Sequence, residues 1–333
     1  MQDPTLLTFT VMKNEGPFIL EWLAWQRLMG VDRVLVLTNH CDDGTDHLLD
    51  ALDHEGLVRH LPNPVEALPP GTDVQPHTAG IAYAKKLRDW QEADYIFLSD
   101  VDEFPVIRQG GGTLKTLLER LDHPDVLSLS ETVFGTGDHL AFEDRPVTGQ
   151  FTKSASTRPG KWRARRGFKS ITRNDPRLVI RNHRPIAREA AAGKLRWLDG
   201  SGRDFPMELR HIHQKGSDAR GTFDLAMVHH YALRSLESFL VKHARGDAVV
   251  EGRVNATYFK RRNQLAEENR DMLAHQPALE GEIALLKSLP RIAELHEASV
   301  AAHRAKIAGL KKTPLYEDLL RLVEGEGAAL GDA

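Results

Sequence analysis

The chemistry of this chain concentrates at Asp100-Val101-Asp102-Glu103, an acidic knot that follows the apolar run Tyr95 to Leu98. A run of that length suits a short buried strand. Two aspartates one residue apart point their side chains the same way at such a strand end. Carboxylates that close repel, so the pair calls for a neutralising partner. A hard divalent cation, Mg²⁺ or Mn²⁺, supplies one, because it prefers oxygen ligands and keeps positions open for phosphate. Pro105 is expected to stop strand pairing directly after the acids. A basic stretch lies downstream: Lys153, Arg158, Lys161, Arg163, Arg165, Arg166, Lys169 and Arg173. It reads equally as a solvated strand pair with its loop or as a face turned toward an anionic ligand.

These residues need a frame. Leu6 to Met12 reads as a first strand, rich in apolar and β-branched residues. It runs into Lys13-Asn14-Glu15-Gly16-Pro17, and Pro17 suits a first helical position. Phe18, Trp22, Trp25 and Met29 then share one helical face, with Gly30 as carboxyl-terminal cap. Val34 to Leu37 is a second strand, followed by the polar loop Thr38 to Thr45, a helix carrying Leu48, Leu49 and Leu52, and a third strand at Leu57 to Leu61. Strands alternating with helices predict a parallel sheet with right-handed crossovers. A helix over Gln75 to Gln91, with Ala79, Tyr83, Leu87 and Trp90 on one face, delivers the chain to the acidic strand end. Ligands in such sheets bind at the carboxyl ends of the strands. Further strands are expected at Val126 to Leu129, Leu178 to Ile180 and Met227-Val228, and a helix capped by Ser235. The tail from about Asn255 is rich in helix formers and broken near Pro277, Pro290 and Pro314.

Composition narrows the classes. Within 333 residues, 41% hydrophobic and 27% charged residues fit a globular protein. A net charge of −3 carries no nucleic-acid signature. Cys41 is the only cysteine, which excludes an intramolecular disulfide framework and a cysteine metal cluster and agrees with a reducing cytoplasm. No signal peptide and no membrane span are expected, while peripheral attachment to a membrane stays open.

Four signals recur in order: Lys13-Asn14-Glu15 after the first strand, Asp42-Asp43-Gly44-Thr45 after the second, Asp100-Val101-Asp102-Glu103-Phe104, and His229-His230-Tyr231. Together they resemble the metal-dependent glycosyltransferases of the GT-A fold, in the family 2-like and family 92-like branch. Phe168-Lys169-Ser170-Ile171 and the stretch His230 to Phe239 also look like that branch. The resemblance covers residues 6–246. It implies a Rossmann-like, mostly parallel α/β sheet flanked by helices. It divides the chain into a glycosyltransferase domain at 1–250, with a nucleotide-sugar half at 1–105 and an acceptor half at 106–250, and a helical C-terminal extension at 251–333.

The resemblance further implies that Asp102 holds Mn²⁺ or Mg²⁺ directly, with Asp100 toward the metal, the donor sugar or the ribose. A histidine completes the coordination; His230 matches, and His229 is the competing neighbour. The plainer reading of either histidine is a core residue bonded to a backbone carbonyl. The nucleotide falls to Lys13, Asn14 and Glu15 and to Asp42 or Asp43, whose carboxylate oxygens accept from N–H and O–H donors. Asp42 and Asp43 also fit a turn with a helix cap, and Glu15 fits a helix amino terminus. Gln75 stands where the branch places a donor-site residue, or it is a solvated helix start.

The implied reaction moves a sugar from a nucleoside diphosphate sugar, UDP-linked, to a hydroxyl of a glycan or other acceptor, with inversion, in glycan or polysaccharide synthesis. The metal acts as Lewis acid on the leaving diphosphate, and Lys169, Lys242 and Arg245 add positive charge. Asp138 is the first candidate for catalytic base and Glu131 the second, each also readable as a surface or capping acid. Trp162 and Trp197 are stacking candidates for a sugar, or core residues. The tail helices would close the acceptor site, form a homo-oligomer or meet a partner. The competing readings are a nucleotidyltransferase, for which Met12 to Gly16 is too short and too acidic a loop, and a non-catalytic sugar-nucleotide-binding protein.

Overall fold

The structure, a computed structural model, describes residues 3–69, 72–157, 167–210, 222–245 and 256–329. Trp162 and the basic residues Arg158, Lys161, Arg163, Arg165 and Arg166 lie outside them. In chain order the elements are β1 (Leu6–Met12), α1 (Ile19–Leu28), β2 (Arg33–Thr38), α2 (Thr45–His54), β3 (Arg59–Pro62), α3 (Pro76–Ala84), α4 (Arg88–Gln91), β4 (Tyr95–Leu98), β5 (Glu103–Ile107), α5 (Leu114–Arg120), β6 (Val126–Val133), α6 (Val147–Gln150), β7 (Lys153–Ser154), β8 (Phe168–Arg173), β9 (Leu178–Val179), β10 (Ile186–Ala187), β11 (Trp197–Asp199) and β12 (Ala226–His230). Then come α7 (Leu236–Arg245), α8 (Ala256–Arg262), β13 (Glu267–Glu268), α9 (Gln276–Lys287), α10 (Ile292–Leu310) and α11 (Pro314–Ala329).

The central sheet runs β3-β2-β1-β4-β8-β6-β12-β5, with β11 beside β6. The strands β3, β2, β1 and β4 are parallel, β8 runs against both β4 and β6, and β12 is parallel to β6. Alternate residues of the parallel strands feed two cores. Leu6, Val34, Val36, Tyr95 and Phe97 pack with Trp22, Trp25, Leu48 and Leu52, whereas Leu7, Phe9, Leu35, Leu37 and Ile96 pack with Ala84 and Trp90. A sheet covered on both faces explains why these strands read as continuous apolar runs. The chain leaves β1 for β2 on one side and β4 lies on the other, so the crevice beyond their carboxyl ends is a topological switch point.

Two expectations need correction. Pro105 does not end pairing: it lies inside β5, opposite Val228 of β12. The strand is an edge, where a missing N–H costs no ladder bond, and the Pro105 carbonyl accepts from Trp25 Nε1 at 2.8 Å. The helix expected over Gln75 to Gln91 is two helices, because Leu87 is extended, with φ −81° and ψ 147°. The break turns Trp90 onto Phe9, edge to face with ring centroids 5.7 Å apart.

The tail is built into the body. Leu279, Leu286 and Ile292 share a core with Trp22 and Trp25, so α1 is buried from Ile19 through Gln26 instead of on one face. On α10, Ser299 sits against Gly16 and Gly44: a Cβ on Gly16 would lie 2.5 Å from the Ser299 Cβ. Gly44 has φ 83°, a conformation that glycine enters without penalty. Among the described residues, no helix is long and apolar enough to cross a membrane.

Candidate active site

Strand register assembles the site. His230 of β12 faces Glu103 of β5 directly, and Val228 faces Glu131 of β6. Lys169 of β8 faces Leu129 of β6. Directly opposed residues share a face, as do residues two apart in a strand. Lys169, Glu131, His230 and Glu103 therefore line one face across four neighbouring strands, and the β4 end delivers Asp100 and Asp102 beside them. The same alternation sends His229 the other way: its ring lies 4.7 Å from that of Phe134 and its Nε2 is 3.7 Å from Asp271. Of the two histidines, His230 joins the acids.

Six ion pairs organise the cluster. Lys169 Nζ, on a side chain only 2% exposed, reaches Asp100 at 2.9 Å and Glu103 at 3.0 Å, and it donates to Asn182 Oδ1 at 2.9 Å. Lys242 Nζ, from the last turn of α7, donates to Asp102 Oδ2 at 2.8 Å and to the Ala232 carbonyl at 2.9 Å. His230 Nε2 lies 3.5 Å from Asp102 Oδ1, while its Nδ1 is bonded to Glu131. Arg262 of α8 pairs with the same Glu131. Glu131 can lie there because residue 167 is glycine: a Cβ would stand 1.7 Å from Glu131 Oε2.

The charges follow from these contacts. Burial alone would push Asp102 upward, but Lys242 and then His230 outweigh it and hold the carboxyl well below its usual range. Burial likewise opposes ionisation of Glu131, and Arg262 and His230 overcome it. For His230, burial disfavours the cation, yet Glu131 and Asp102 raise it to about 10. Asp100 and Glu103 share Lys169 and separate: Asp100 is held low against its burial, while burial and the Asp100 charge push Glu103 up.

The nucleotide-side loops form a second layer. Asn14, at φ 53°, accepts from the Asp42 N–H at 2.9 Å and donates back to the Asp42 carboxylate. Asp42 is 69% exposed and pairs with Lys306 of α10. Asp43 is buried, accepting from the Gly16 N–H at 3.3 Å and the Thr45 N–H at 2.9 Å; it ties two loops together and satisfies the first N–H of α2. Glu15 is buried between Arg234, at 2.8 Å, and Arg245, and the Arg245 guanidinium also donates to the Lys13 and Asn14 carbonyls. Gln75 is exposed and caps α3 with no side-chain bond. Asp138 is exposed beyond the end of β6, and Trp197 is a core residue stacked on Phe205. Sequence reasoning missed His77, 4.0 Å from Asp100, as well as Asn182, Arg234 and Arg262. Nothing local marks Arg262, which arrives from the tail.

Comparison with known proteins gives this geometry a context. The model of glycosyltransferase family 92 matches residues 12–197. The match takes in Asn14, Asp43, Asp100, Asp102, Glu131 and Lys169 and stops before His230, Lys242 and Arg262. A glycosyltransferase family 92 protein of Arabidopsis thaliana is 27% identical over 121 residues, which are 35% of this chain and 19% of that protein. The chain therefore spans under a fifth of that relative's length. Among solved structures, Staphylococcus aureus TarS 1–349 in complex with UDP aligns with a TM-score of 0.32 and 16% identity, over 96% of this chain and 87% of that one. The galactosyltransferase LgtC, in complex with donor and acceptor sugar analogues, aligns with a TM-score of 0.23 and 13% identity, over 37% and 46%.

Proposed function

The chain belongs to glycosyltransferase family 92, and from that membership we propose that it transfers a sugar from a nucleoside diphosphate sugar, UDP-linked, to an acceptor hydroxyl, assisted by Mn²⁺ or Mg²⁺ and with inversion. One observation carries the metal reading: Asp102 Oδ1 and His230 Nε2 face each other at 3.5 Å while Glu131 holds the other ring nitrogen. A carboxylate on the far nitrogen of a ligating histidine fixes its orientation and raises its basicity. Two protein donors suit a small hard ion that completes its shell with water and substrate phosphate. Among the described residues no larger cluster of metal-binding side chains exists, so the remaining positions would fall to donor and solvent. When bound, the metal supplies Lewis-acid stabilisation of the leaving diphosphate.

The protein's own residues do the rest. Lys169 keeps Asp100 ionised and holds both Asp100 and Glu103 in place, so the carboxylate next to the metal position does not swing. Glu131 and Arg262 keep His230 aimed at Asp102, which makes Glu131 an orienting group. Asp138, exposed past the end of β6 on the edge where β12 ends at His230, is the group on hand to take the acceptor proton. Arg234 and Arg245, through Glu15, fix the Lys13–Asn14 backbone as the wall against which the nucleotide rests.

A thermal-shift panel of sugar nucleotides with Mn²⁺ tests the donor class, because a ligand bound only by the native state raises Tm. A rise with UDP or a UDP-sugar that needs Mn²⁺ supports the reading. No shift with any nucleoside diphosphate, or pyrophosphate release from a nucleoside triphosphate and a sugar phosphate, overturns it.

A further inference from the structure

Each carboxylate of the Asp-x-Asp pair carries its own lysine, and the two lysines are held differently. Lys169 is walled in by Asp100, Glu103 and Asn182 with 2% of its side chain exposed. Lys242 is 18% exposed, sits in the last turn of α7, and among the described residues pairs with one carboxylate, Asp102, and donates to the Ala232 carbonyl. Its charge also meets that of Glu15, but Glu15 is already taken by Arg234 and Arg245. Among the described residues no further carboxylate pairs with Lys242, and an anion that arrives with a ligand would give it a new partner.

We propose that Lys242 is a displaceable counter-cation of Asp102, so that a divalent metal and a nucleoside diphosphate bind this chain as a mutually dependent pair. The inference rests on the reading of Asp102 and His230 as metal-holding residues. A divalent ion on Asp102 Oδ1 places two positive charges beside the ammonium on Oδ2 of the same carboxylate, and like charges at that spacing oppose each other strongly in a buried site. A diphosphate within reach of the lysine's flexible stem gives the ammonium a new partner and leaves Asp102 to the metal. Each ligand thereby removes an obstacle to the other, and linkage requires the two effects to be equal.

The test is a Mn²⁺ titration of the full chain, read by the paramagnetic resonance signal of the free ion, alone and with saturating UDP, with GDP as a second diphosphate. Wild type, K242M, K242Q and D102N are compared, each checked for folding by circular dichroism. The expected result is that K242M and K242Q bind Mn²⁺ alone several-fold more tightly than wild type. In both, tightening by UDP falls at least tenfold below the wild-type factor; the affinity of Mn²⁺ for UDP in solution cancels in that ratio. Unchanged Mn²⁺ affinity and unchanged UDP coupling in both lysine variants, with D102N still losing Mn²⁺, overturns the inference and leaves the metal site standing. Wild-type Mn²⁺ affinity in D102N overturns the metal site, and the inference falls with it.

Discussion

Lys169 Nζ lies 2.9 Å from Asp100 Oδ2, and the same ammonium reaches Glu103 at 3.0 Å from a side chain that is 2% exposed. One buried lysine thus serves two acids, one on either side of Asp102. Removing a partner from a buried pair leaves an uncompensated charge and costs about 3–5 kcal/mol. Lys169→Met is expected to lose stability of that order in urea unfolding at pH 7.5. A loss below about 1 kcal/mol, the worth of an exposed pair, would show that Lys169 does not hold the acids together.

Gly167 makes a separate prediction. A side-chain methyl there would meet Glu131 Oε2 at 1.7 Å, so Gly167→Ala must push the Glu131 carboxylate off His230 or shift β8. Overpacking of this kind costs about 1–3 kcal/mol, and misplacement of a site residue by an ångström costs about 100-fold in rate. Sugar transfer is expected to fall much further than stability does. Wild-type turnover by the Ala variant would mean that the orientation of His230 is unimportant.

The third prediction concerns pH. His303 of α10 packs against the rings of Phe18 and Phe142 and near the Ser238 hydroxyl. Burial, then the neighbouring Arg234 charge, lowers its imidazole from 6.5 to about 4. The unfolded chain therefore binds this proton at higher pH than the folded chain does. The resulting stability is fully present above about pH 6.5 and is lost as pH falls toward about 4, at a slope of at most about 1.4 kcal/mol per pH unit. His303→Gln is expected to flatten that acid limb in urea unfolding between pH 7.5 and 4.5. Parallel wild-type and variant curves would remove His303 as the cause.

How much of this was legible in the sequence depended on distance along the chain. The strands of the first hundred residues announced themselves through apolar runs, and Asp100 and Asp102 through their place after one of them. What Asp43 and Asp42 do was not legible, because both readings use the same residue types; the fold buries Asp43 as a loop tie and leaves Asp42 exposed. The choice between His229 and His230 needed the register of β12 on β5, which no periodicity supplies. Arg262 reaches Glu131 across 131 residues, and α10 covers the Gly16 and Gly44 loops from the tail. Both are tertiary facts without a local signal. Pro105 misled because a proline signals the end of a central strand, while an edge strand tolerates it.

The central claim is that Asp102 and His230 hold the metal that receives the donor's diphosphate. The most direct measurement is release of nucleoside diphosphate from a panel of UDP-sugars, with Mn²⁺ and with chelator, by wild type, Asp102→Asn and His230→Ala. The account predicts release that depends on Mn²⁺ and falls at least about 100-fold in Asp102→Asn, the scale of losing a dominant electrostatic contact to the transition state. In His230→Ala the Mn²⁺ requirement should move to higher concentration. Equal release in chelator, or wild-type turnover by folded Asp102→Asn, would contradict it.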